Sequence, residues 1–212
     1  MRYINKKVRP IPIDERIRKN ISHSSDLQKR GFDEIEYDKE TDTWFSDLNG
    51  TITPEDKDLG MIMLKYLDEG LYEEATQILK MHLPYKTIVE RISALVEGKS
   101  VAEYMAASMF ALEDAGVRDD IKQDLTEISY PSRFVIFTGT PQETADMFVK
   151  KRIYPLFRKM PSVLGTLLEQ KSGTLTGRAL RIMDEHEREL YKHNARQSLI
   201  EKVSKEKFGK SA

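Results

Sequence analysis

Three stretches place reactive residue types at spacings that invite a chemical reading. Gly98-Lys99-Ser100 stands just before an apolar run. A phosphate-cradling loop needs another glycine five positions upstream, where the backbone wraps the phosphates, and that position is Ser93. The residues before it carry helical rather than strand periodicity. The stretch therefore reads as a joint between two helices, with Ser100 as N-cap and Glu103 completing a capping box. His186 and His193 lie seven residues apart with Glu189 between them. Zinc-binding pairs on a helix are normally about three or four apart, so these read as polar residues of a charged helix. His23 and His82 have no readable partner. No Gly-x-Ser-x-Gly elbow and no paired acids in an apolar surround are present. No catalytic residue, cofactor site or metal site is expected.

The basic residues are a different kind of candidate. Residues 1–30 hold nine Lys or Arg against three acids, and residues 31–58 hold ten acids against two lysines. Such blocks are solvated faces or interaction arms more often than reactive sites. Arg2, Lys6, Lys7 and Arg9, together with Lys150, Lys151, Arg152, Arg158 and Lys159, are the candidate contacts for protein or for nucleic-acid phosphates. Thr87 to Ala115 has helix-turn-helix spacing. Residues 101–115, however, offer no Arg, Lys, Asn or Gln to reach base edges, so groove reading is not expected.

The elements that would position these groups begin with Phe134-Val-Ile-Phe137, apolar on both faces and so suited to a buried strand. Gly139 breaks the run, and Thr140-Pro141-Gln-Glu143 reads as a capped helix start. Phe137 to Pro155 resembles the strand–turn–helix that follows the nucleotide loop in ATPase domains of phage large terminases. The phosphate loop and the paired acids of that family are missing, and no activity is carried over. Residues 32–46 read as a hairpin that pairs with strand 134–137 or packs on helices, and Asn49-Gly50 as a turn. Thr53-Pro54 is expected to cap a helix with Leu59, Ile62, Met63, Tyr66 and Leu67 inward. Further helices follow over about 72–82, 85–97, 101–115 and 119–128. The 101–115 segment, apolar on most faces, is expected at the buried centre. Helices are also expected over 156–170 and 178–208, with a loop at 171–177.

These readings make an α+β chain, mostly α: a helical bundle with a small sheet (a hairpin and one buried strand), an extended N-terminal arm and a long charged C-terminal helix. The organisation expected is a basic arm over 1–30, a hairpin segment over 31–50 and a helical body over 51–130. A strand–turn–helix segment over 131–177 and a final helix over 178–212 complete it. At 39% apolar and 33% charged residues, with no cysteine and no apolar run of about 18 residues, a soluble cytoplasmic protein is expected. It would reside there or in a particle assembled there. The function expected is that of a non-enzymatic structural or assembly subunit, as in a tailed-phage particle, working through protein partners or self-association. A nucleic-acid-binding or regulatory protein using the basic residues is the alternative.

Overall fold

The computed structural model describes residues 35–38, 41–127, 133–157 and 159–208. Arg2, Lys6, Lys7, Arg9 and Arg158, and the whole expected arm, lie outside them.

The sheet is assembled around the apolar run identified above. That run is longer than expected, with β3 spanning Arg133–Pro141. It lies between β2 (Thr43–Asp47) and β4 (Ser162–Lys171), parallel to both. Antiparallel strands close the two edges: β1 (Glu36–Asp38) beside β2, and β5 (Thr174–Arg181) beside β4. Five strands in the order β1-β2-β3-β4-β5 thus form one mixed sheet. The hairpin of β1 and β2 pairs with β3, Trp44 lying opposite Phe134 and Asp47 opposite Phe137.

A helical module is inserted between β2 and β3. It comprises α1 (Leu59–Leu67), α2 (Glu69–Leu79), α3 (Tyr85–Leu95), α4 (Val101–Ala115) and α5 (Asp119–Glu127). After β3 come α6 (Gln142–Phe148), one π-helical turn (Val149–Ile153) and the short α7 (Tyr154–Phe157), and α8 (Glu185–Phe208) closes the described chain. The expectation of a helical bundle carrying a small hairpin sheet is therefore wrong. The sheet is the organising layer, because alternate side chains of β3 bury on opposite faces. On one face Val135 and Phe137 join Phe45 and Met183, with Leu164 and with Tyr191 of α8 packed on them. On the other, Phe134 meets Phe157 of α7 edge to face, with ring centroids 5.4 Å apart.

Two expected elements are replaced outright. Residues 162–181, read as helix, loop and helix start, form the β4–β5 hairpin. Its turn is Ser172-Gly173, both at positive φ (52° and 79°), the geometry of a two-residue hairpin loop that matches strand twist. The last helix accordingly starts at Glu185 rather than Arg178. Two cap assignments also fail. Helix α1 starts after Asp58, whose carboxylate accepts from Met61 N–H, because Thr53 is drawn into the preceding loop. Helix α6 starts after Pro141 without a side-chain cap, because the Thr140 hydroxyl is bonded to Asn49. The α4 segment is not enclosed all round: Met109 and Phe110 are open to solvent, Phe110 stacking on Tyr66.

The Ser100 capping box is present as read, Glu103 N–H donating to Ser100 Oγ and Ser100 N–H to Glu103. Ser100→Ala is expected to lower stability by about 1 kcal/mol in a urea titration. A buried hydroxyl cluster ties α4 to α6, with Thr144 Oγ1 lying 2.8 Å from both Tyr104 Oη and Ser108 Oγ. Thr144→Val keeps the shape but strands polar atoms in the interior, and about 1–3 kcal/mol should be lost in the same measurement.

Candidate functional site

In sheets with parallel strands, ligands gather where the carboxyl ends of those strands meet the following loops. Here β2 ends on Asp47, opposite Phe137, and β3 runs on past it to Pro141. The next residues turn sharply. Ile52 and Thr53 N–H both donate to the Leu48 carbonyl, Gly50 has φ of +78°, and Gly50 N–H donates to Thr53 Oγ1. Asn49 locks the loop to its neighbours: its Oδ1 accepts from Leu59 N–H at 3.0 Å, and its Nδ2 donates to Thr140 Oγ1 at 2.9 Å. The amide is thereby committed to structure and has no proton to exchange.

The end of β3 contributes hydroxyls and a glycine. Thr138 Oγ1 accepts from Thr140 N–H, and Thr138 and Thr140 are both buried. Helix α1 abuts this point: Asp58 Oδ1 and Thr140 Oγ1 lie 3.3 and 3.8 Å from the position a Cβ on Gly60 would take. From the helical module, Tyr85 reaches down so that its hydroxyl lies 2.0 Å from where a Cβ on Gly139 would be. A side chain at residue 139 would have to displace the phenol.

The electrostatics draw the same residues together. Burial pushes the Tyr85 phenol above its ordinary range, and the negative charges of Asp47, Asp58 and Asp184 push it further. Three carboxylates from three separate segments thus act on one hydroxyl. Burial also raises the Asp58 carboxyl, against the opposing effect of the Met61 and Gly60 N–H groups. Asp58 keeps solvent-accessible surface although protein crowds round its carboxylate, and Tyr85 is 42% exposed although its hydroxyl is hemmed in. Both groups stand where the end of β3 meets the starts of α1 and α3, and that meeting point is the candidate site. Because Asp58 titrates higher in the folded chain than in the unfolded one, the folded state holds the extra proton. Stability contributed by this group should fall as pH rises from the ordinary value of 3.8 through the raised one. Asp58→Asn, which keeps the cap, should remove that slope from a pH series of urea midpoints.

Asp184 lies between β5 and α8 and caps α8, accepting from Glu187 N–H at 2.9 Å. Among the described residues, no three His, Asp, Glu or Cys side chains converge closely enough to share a metal ion.

The sequence-derived candidates fall elsewhere. Gly98-Lys99-Ser100 is a joint between α3 and α4, Lys99 pairing with Asp68 at 3.0 Å. His186 and His193 are exposed on α8. Lys150, Lys151 and Arg152 lie in the π-helical turn, whose extra residue re-aims the side chains. Lys151 pairs with Glu113, while Arg152 binds Glu113 at 2.7 Å and the Leu112 carbonyl at 3.1 Å. Their charges, that of Lys151 foremost, hold the Glu113 carboxyl below its usual range. Lys159 is exposed past α7. The structure brings Lys151 and Arg152 together at the end of α4, on Glu113 and Leu112 rather than at the end of β3.

No protein-family model and no curated protein matches the sequence. Solved structures do match the fold. A HAD family hydrolase from Salmonella enterica serovar Typhi aligns with a TM-score of 0.53 at 17% identity, over 73% of this chain and 50% of its own. A substrate-bound phosphoserine phosphatase gives 0.49 at 17% identity, over 77% and 70%. Cytosolic 5'-nucleotidase IIIB bound to cytidine gives 0.45 at 13% identity, over 68% and 56%. The chain spans half the length of the Salmonella hydrolase. This likeness is one of fold: a Rossmann-like sheet with helices, as in HAD hydrolases. It overturns the expectation of a non-enzymatic assembly subunit of a phage particle, because the architecture is shared with that HAD family hydrolase. Among the described residues no helix is long and apolar enough to cross a membrane.

Proposed function

We propose that the chain is a hydrolase of phosphate monoesters, with Asp47 as its nucleophile. The observation that carries this reading is the position of Asp47, a carboxylate ending an inner parallel strand beside a glycine turn and the hydroxyl-rich end of β3. The likeness of fold to a HAD family hydrolase supports it.

In the first step an Asp47 oxygen attacks phosphorus as the ester oxygen departs, giving an acyl phosphate and an alkoxide. Asp58, its carboxyl raised by burial, supplies the proton that the alkoxide needs. In the second step Asp58 takes a proton from water, which attacks phosphorus and releases inorganic phosphate and the free Asp47 carboxylate. The bound Asn49 amide holds the loop and exchanges no proton.

The test is phosphate release from a panel of monoesters, from p-nitrophenyl phosphate to phosphoserine and nucleoside monophosphates, each with Mg2+ and with a chelator. Quenching in hydroxylamine should convert the acyl phosphate to a hydroxamate on the Asp47 peptide, read by mass spectrometry. No release from any ester, or release without the hydroxamate, would remove the reading.

A further inference from the structure

The helical module sends one side chain to the end of β3. Tyr85 is the first residue of α3, following Pro84, which sets the helix start. Its hydroxyl lies against Gly139, 2.0 Å from the point where any other residue would place a Cβ. Residue 139 follows Thr138 and precedes Thr140, so the phenol sits over the end of β3 rather than at the rim of the module.

We infer that Tyr85 contacts the substrate, its hydroxyl donating a hydrogen bond to the ligand bound beside Asp47 and its ring limiting the size of the group that can be accommodated. This rests on the reading of Asp47 as a phosphate-ester nucleophile. The two observations that carry it are the seat of the hydroxyl against Gly139 and the partial exposure of the residue, which is 42% accessible. A tyrosine used only as filler would be buried. This one stays accessible although its hydroxyl is crowded against Gly139. The hydroxyl also stays protonated at working pH, since burial and the three carboxylates both disfavour its anion. It is a permanent donor in a region otherwise rich in acceptors.

Tyr85 already has an interaction within the fold, and binding shifts the side chain so that its hydroxyl takes up a bond with the ligand. The contact would hold the ground state and transition state alike, so its loss should appear chiefly in KM.

The experiment compares wild type, Tyr85→Phe, Tyr85→Ala and Asp47→Asn on a series of phosphate monoesters of increasing alcohol size. Inorganic phosphate and vanadate binding are measured in parallel by thermal shift. Tyr85→Phe should raise KM about tenfold, the worth of one hydrogen bond at a partly desolvated site, with kcat within about twofold. Tyr85→Ala should in addition widen tolerance toward bulky alcohols relative to small ones. An unchanged KM in Tyr85→Phe, or an unchanged size preference in Tyr85→Ala, with active wild type overturns the inference and leaves Asp47 standing. Wild type that binds vanadate without turnover removes the reaction; Tyr85→Phe then still has to weaken vanadate binding for the inference to stand. Wild type that neither binds nor turns over removes both.

Discussion

Asp47→Asn should abolish phosphate release, by roughly 10³-fold or more, while leaving the fold intact. The size of the effect follows from the role: an amide cannot form the acyl phosphate, so the route through the covalent intermediate is closed rather than slowed. Shape is preserved, because Asn is nearly isosteric with Asp. The strand end would also be relieved of one of the three negative charges that act on Tyr85. The urea midpoint should therefore stay level or rise slightly while activity vanishes. That combination separates a nucleophile from a structural carboxylate, whose loss lowers both together. A variant retaining a tenth of wild-type turnover would require another nucleophile.

The second large effect concerns stability. Phe137→Ala should cost about 3–5 kcal/mol, measured by urea unfolding. The side chain is fully buried, 5.7 Å centroid to centroid from Phe45 and 5.6 Å from Tyr191, with the Arg188 guanidinium 5.4 Å from its ring centroid. Truncation would leave a cavity and remove the surface on which α8 rests. The residue is also opposite Asp47 in register. Part of the loss should therefore appear as reduced turnover at temperatures where the chain is still folded. A cost below about 1 kcal/mol would mean that α8 is not held through this ring.

Much of the fold was legible where local signals and final structure coincide. The run Phe134–Phe137 announced a doubly buried strand, the alternation around Tyr37 and Trp44 announced a hairpin, and Ser100 with Glu103 announced a helix start. The β4–β5 hairpin was not legible. Leu164, Leu167 and Leu168 sit at spacings that also suit a helix, and Gly165 interrupts any alternation. Gly165 is in fact required by packing, since a Cβ there would lie 2.7 Å from the Thr140 carbonyl oxygen. That close approach between β3 and β4 leaves no trace in local propensity. Ser172-Gly173 was the available clue, read as loop when it was a two-residue hairpin turn.

The site was almost entirely hidden. Asp47 carried one signal: an acid ending a strand-like run, two residues before Asn49-Gly50. Nothing in the sequence marked the pairing of β2 with β3 that gives this position its meaning. Asp58, Tyr85 and Asp184 come from separate stretches, joined only once the helical module folds back on the sheet. The charge blocks that drew attention instead are local features, and in the described region Lys151 and Arg152 serve to fasten the π-helical turn to α4.

The β4–β5 hairpin does more than extend the sheet. Its tip is bonded to the joint between α3 and α4: Gly98 N–H donates to the Leu175 carbonyl, Leu175 N–H to that of Lys99, and Val101 N–H to that of Gly173. Gly177 lies so close to α3 that a Cβ there would be 3.2 Å from Ala94 Cα. The module carrying Tyr85 is thus moored to the sheet at a point distant in sequence from both of its chain connections. A moored module does not swing as a hinged cover unless three backbone bonds break at once. A change of access that leaves those bonds intact has to come from single side chains, not from the collective closure that limits many hinged enzymes.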